Sequence, residues 1–232
     1  MVTGLLQDIV KIENNELSWI INHCEHWVYP LQTFIALFFL YLFYKQYPQE
    51  SLKKSEIGLS IIIGALGFFL WITPNLIYDF IQSTELNYPQ WLQHLGITKR
   101  DEGFNTHFIP TNSPWIFITL ILRFVRLVIV VPIIEELFWR GWFMRAITAH
   151  FTQKKWQSIP LGVSFLPTYW ITALAIMLIH QPSDYLASFL WATLTYYLHI
   201  KTKKLYTNII AHAVANLILG IYIIVTTKYG FW

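Results

Sequence analysis

The sequence predicts an all-α fold, a polytopic integral membrane bundle of about six to seven transmembrane helices. Three observations carry that expectation. Of the 232 residues, 55% are apolar and only 12% are Asp, Glu, Lys or Arg. A soluble domain typically carries about 25% charged residues, so the chain has roughly half of what a water-facing surface uses. The apolar residues also form runs suited to a helix of ~20 residues, which spans a bilayer while satisfying its own backbone hydrogen bonds. Finally, the few charges fall mostly between those runs.

Taken in order, residues 27–44 and 57–78 contain no charge, and the second run is bracketed by Glu56 and Asp79. Residues 115–140 are apolar but interrupted by Arg123, Arg126, Glu135 and Glu136. Pro132 lies within this run, where a missing N–H and a clash with the preceding turn predict a bend or break. A helix-like stretch from Trp142 to Phe151, carrying Arg145, is the candidate for a seventh span. Residues 161–180 and 185–200 form a pair joined by His180-Gln181-Pro182-Ser183-Asp184, and 205–227 completes the set. The whole of 1–232 reads as a single membrane domain, with a polar extracytoplasmic loop over 79–113.

Orientation follows from Lys and Arg, which concentrate on the cytoplasmic side. With the N-terminus outside, ten of them fall in inside segments (Lys45, Lys53, Lys54; Arg140, Arg145, Lys154, Lys155; Lys201, Lys203, Lys204). Only Lys11, Lys99, Arg100 and Lys228 fall outside, which predicts an extracytoplasmic N-terminus. Trp and Tyr near the span ends fit an interfacial aromatic belt. The net charge of +3 comes from small scattered groups, so no nucleic-acid partner is expected. Cys24 is the single cysteine, which excludes an intramolecular disulfide and an all-Cys metal cluster. The opening residues carry Asp8, Glu13, Glu16 and Glu25 and do not read as a signal peptide.

Eleven of the thirteen acidic residues lie in loops, at span edges or in the N-terminal segment; Glu135 and Glu136 alone sit inside an apolar run. An intramembrane carboxylate is costly and marks a functional site by default. Glu136 and Arg140 are four apart and share a helical face, in the favourable acid-before-base order. Glu135 points about 100° away and is free for another task. Of the eight histidines, six (His23, His26, His94, His107, His150, His199) read as loop or interface residues. His180 ends one apolar run and His212 lies inside the last, four residues before Asn216 and among Ala211, Ala213, Ala215 and Gly220. Such small residues let a neighbouring helix approach closely.

Two acids, two histidines and an amide suit a hydrolase. Glu135 is the candidate base for water, assisted by His180, while His212 and Asn216 are candidate oxyanion donors. No Gly-x-Ser-x-Gly elbow is present, which disfavours a serine nucleophile. A zinc site from Glu135, His180 and His212 stays open, although His-Glu-x-x-His is absent. Two alternatives stay open as well: a non-catalytic scaffold or immunity protein using the same network for helix packing, and a proton-coupled transporter.

The pattern Glu135-Glu136-x-x-x-Arg140, then His180, then His212-x-x-x-Asn216 resembles the three motifs of the CPBP intramembrane proteases, which include the CAAX prenyl endopeptidases and bacteriocin-processing proteins. The stretches VVPIIEELFWRGWFMR (130–145) and AHAVANLILGIYIIVTTKYGFW (211–232) look like the CAAX-protease-related branch associated with bacterial exosortase (PEP-CTERM) systems. The likeness covers roughly the last 120 residues, and Ile176 stands where the second motif usually has Phe. It implies an intramembrane protease of the glutamate or metallo-endopeptidase type in the bacterial inner membrane. Its partners would be a protein or peptide substrate and exosortase-system proteins. Glu135 and His180 would be the water-activating pair, Glu136 and Arg140 supporting residues, and His212 and Asn216 the oxyanion hole.

Overall fold

The computed structural model describes residues 25–84, 87–100, 103–104 and 115–232. Asp8, Glu13, Glu16, His23, Cys24, His107 and part of the 79–113 loop lie outside the described residues. The described chain is helical, with α1 (Glu25–Leu42), α2 (Lys54–Ser83), α3 (Trp115–Thr152), α4 (Leu166–Ile179), α5 (Tyr185–Thr202) and α6 (Leu205–Thr226). Among the described residues, α2, α3 and α6 are long and apolar enough to cross a membrane. Helix α4 is apolar but has only 14 residues. The outside of the bundle is lined with exposed Phe34, Phe38, Phe69, Phe117, Ile121 and Val225. In water such a surface would be an aggregation liability; facing lipid it is the expected exterior of a helical membrane bundle.

The third run differs from its expectation. Helix α3 continues for 38 residues and passes through Pro132 without a break, so Trp142 to Phe151 belongs to it and forms no separate span. The reason is local. Arg126–Val130, just before the proline, and Leu137–Phe143, just after the acids, are π-helical, and the α-helical turn Val131–Glu136 lies between them. A π segment bonds i to i+5, so the ladder rearranges around the missing proline N–H and the helix goes on.

Helices α2, α5 and α6 form the centre, and glycines set how closely they meet. A Cβ on Gly64 would collide with the carbonyl of Ala211 on α6, and one on Gly67 would collide with the Trp191 ring on α5. Small residues at helix crossings let backbones approach this closely in membranes. One apolar cluster is Ile63, Leu198 and Ala211, and another gathers Phe68, Ile72, Leu219, Ile223 and Phe231.

The two ends of the bundle are tied separately. At one end Lys204 Nζ lies 2.7 Å from a Glu56 carboxylate oxygen, and the Glu50 carboxylate accepts the backbone N–H groups of Leu205 and Tyr206, each at 2.9 Å. Glu50 thereby caps α6, where free N–H groups and the helix dipole favour an anion. At the other end Lys228 Nζ pairs with Asp79 at 2.5 Å and Arg100 pairs with Asp184. Burial works against the Lys228 ammonium, but its hydrogen bond to Asp79 holds its pKa above the usual lysine value. Each pair joins segments that the charge count puts on the same side of the membrane.

Candidate active site

Glu135, His180, His212 and Asn216 line one cavity of about 170 Å³, bordered by α2, α3, α4, α5 and α6 and also by Phe231. That volume holds several waters. Two geometric reasons bring the residues together. Glu135 lies near the middle of α3, because 38 residues at 1.5 Å each make a helix of about 57 Å. Helix α4 is short and ends one residue before His180, so this histidine sits at the cavity and not beyond it.

Glu136 is fully buried, and its Oε1 accepts from Arg140 Nη1 at 3.2 Å and from His212 Nδ1 at 3.1 Å. Arg140 also donates to the Thr195 hydroxyl on α5. Glu136 thus ties α3 to α6, and Arg140 ties α3 to α5. A buried ion pair is tolerable only with such added hydrogen bonds. Since the carboxylate accepts, Nδ1 of His212 carries a hydrogen. The Trp191 ring meets the His212 ring edge-on, with centroids 5.2 Å apart.

His180 Nδ1 donates to the Ile176 carbonyl at 2.7 Å, which leaves Nε2 as the ring nitrogen without that bond. Ile176 is buried against the cavity and packs with Trp139, Ala173 and Ala192. Trp71 meets the His180 ring at a centroid distance of 5.6 Å. Asn216 Nδ2 donates to the Leu127 carbonyl at 2.8 Å, within the first π segment of α3. This bond uses one of the two amide hydrogens. Glu135 is only half-buried and is held by no hydrogen bond or ion pair among the described residues.

Sequence reasoning missed several neighbours. Trp71 and Trp191 carry no motif signal, yet each holds one histidine ring. His199 is not an interface residue: it is 1% exposed, and its Nε2 accepts the Gly162 N–H at 3.0 Å. The signal was available in the spacing, because Thr195 and His199 on α5, and Asn208 and His212 on α6, are each four apart on apolar helices. Asn208 Nδ2 donates to the Thr195 carbonyl at 2.9 Å, so these polar faces meet beneath the cavity. Arg123 also belongs inside: it is 6% exposed, with its guanidinium 4.2 Å from the Tyr29 ring centroid. Among the described residues, no three His, Cys, Asp or Glu side chains come close enough to hold a metal ion. Glu135, His180 and His212 share the cavity without forming a ligand set.

An apolar exterior around an inner cavity of acid, histidine and amide defines a polytopic membrane protein with a candidate hydrolytic centre. Residues 117–218, just under half of the chain, match the family model described as type II CAAX prenyl endopeptidase Rce1-like. The matched stretch contains Glu135, Glu136, Arg140, His180, His212 and Asn216, and it supports a CAAX-type intramembrane endopeptidase. No curated protein and no solved structure matches the chain.

Proposed function

We propose that the chain hydrolyses a peptide bond of a membrane-associated protein or peptide, using water activated by Glu135. The observation that carries this reading is the shared cavity. Glu135 on α3, His180 at the end of α4, and His212 and Asn216 on α6 face one water-sized space inside an apolar bundle. Glu135 takes a proton from water, and the hydroxide attacks the scissile carbonyl carbon. The oxyanion is held by the second amide hydrogen of Asn216, with His212, oriented through Nδ1 by the Glu136 carboxylate, as the second candidate donor. The C–N bond then breaks, and the proton on Glu135 passes to the leaving amine, with Nε2 of His180 as the acceptor that relays it. Glu136 and Arg140 fix the His212 ring and act as positioning residues.

The sequence likeness of 130–145 and 211–232 supports a place in exosortase-linked processing in the bacterial inner membrane, and the Lys and Arg count supports an extracytoplasmic N-terminus. The test uses the purified full chain in detergent with fluorogenic apolar peptides. Wild-type protein cleaves at least one peptide, chelator treatment leaves the rate unchanged, and Glu135→Gln abolishes cleavage without moving the melting temperature. Absence of any cleavage, or a Glu135→Gln variant that fails to accumulate, favours the scaffold reading. Loss of activity to chelator with rescue by zinc would replace the side-chain mechanism.

A further inference from the structure

Glu135 faces two spaces. Besides the cavity, it lines a groove of about 340 Å³ where α3 meets α1, together with Gln32 and Ala36 of α1 and Arg126, Val130, Val131 and Ile134 of α3. Gln32 and Ala36 are four apart on α1, and Arg126 and Glu135 are the first and last of the α3 positions that line the groove. Glu135 and Arg126 therefore stand at opposite ends of one groove.

Arg126 lacks an acidic partner among the described residues. Its Nη1 donates to Gln32 Oε1 at 2.7 Å, and its guanidinium lies 4.1 Å from the Tyr29 ring centroid. Neutral amide and aromatic contacts orient the group without neutralising it. Cations within an apolar segment almost always meet a counter-ion or mark a ligand path. A planar guanidinium held by its flank presents its remaining donors to a carboxylate, the anion it matches best.

We infer that this groove is a substrate subsite in which Arg126 binds a carboxylate of the peptide, about four residues from the bond presented to Glu135. The spacing follows from the helix. Nine residues at 1.5 Å separate the two positions by about 13 Å, which an extended peptide covers in about four residues. Val130 and Ile134 between them suit apolar side chains of the intervening segment. The carboxylate can come from an acidic side chain or from a chain terminus, and the chemistry at Arg126 is the same.

The inference rests on the protease reading for the role of Glu135, so it is tested by binding, which needs no cleavage. Three fluorescein-labelled apolar decapeptides are titrated onto the full chain in lipid nanodiscs: a C-terminal acid, its C-terminal amide, and that amide with one internal Glu. Wild-type protein binds at least one carboxylate peptide about ten-fold more tightly than the plain amide, in line with a charge-assisted hydrogen bond. Whether the acid or the Glu peptide gains identifies the source. Arg126→Gln removes the preference with an unchanged melting temperature, and Arg126→Lys keeps part of it. Equal binding of all three peptides, or a preference that survives Arg126→Gln, overturns the subsite. If Arg126→Gln instead releases co-purified phosphatidylglycerol and leaves peptide binding unchanged, the groove holds a lipid headgroup and the inference fails. If the carboxylate preference is present but no peptide is cleaved, the protease reading falls and the binding site stands.

Discussion

Glu135 and Glu136 are neighbours in sequence and opposites in surroundings. The Glu136 flank of α3 is closed: its carboxylate is fully buried and shared between Arg140 and His212, and Thr195 completes the network. The Glu135 flank is open, bordering both a cavity and a groove, with no partner for the carboxylate among the described residues. The comparison teaches how one helix can carry a paired, buried acid and an unpaired, half-buried one side by side, the second being the acid proposed to react. What separates them is rotation about the helix axis, with the Val131–Glu136 turn set between two π segments.

The sharpest way to break that comparison is to make Glu135 inert. Glu135→Gln should lower the cleavage rate by about 10³–10⁴-fold, the upper part of what a positioned general base supplies, with thermal unfolding in detergent unchanged. Next in size is the closed flank. Arg140→Ala strands the Glu136 carboxylate and should cost about 3–5 kcal/mol, read as a large fall in melting temperature. Asn216→Ala removes the proposed oxyanion donor and should cost about 10²–10³-fold in kcat, while KM moves little. The smallest effect is expected at a distance. Gly67→Ala pushes on the Trp191 ring that backs His212 and should destabilise by about 1–3 kcal/mol. An activity loss in Gly67→Ala larger than that stability change would tie the Trp191 position to the His212 ring.

The fold class, and the polar residues that line or flank the cavity, were legible in the sequence for a simple reason. Membrane segments tolerate few polar groups, so Glu135, Glu136, His180, His212 and Asn216 stood out against apolar runs. What stayed hidden depends on three-dimensional contacts. Trp71 and Trp191 look like any apolar residues of a span, and nothing in their spacing says that they face histidines. His199 is a different case: its four-residue spacing from Thr195 was a signal, outweighed by the neighbouring Lys201 and Lys203, and α5 carries it inward to the Gly162 turn. The continuity of α3 through Pro132 was equally hidden, because helical propensity does not register a rearrangement to i+5 bonding.

The shortness of α4 bears on the lipid around the protein. Its 14 residues rise only about 21 Å, against a hydrocarbon core of about 30 Å. A bilayer meeting so short a wall thins locally, at a modest cost per ångström of mismatch. Thinning of that kind would bring headgroups and their hydration shell nearer the His180 end of that helix. For the proposed hydrolysis such thinning would bring water toward the cavity, and membrane thickness becomes a variable that sets how readily the cavity refills.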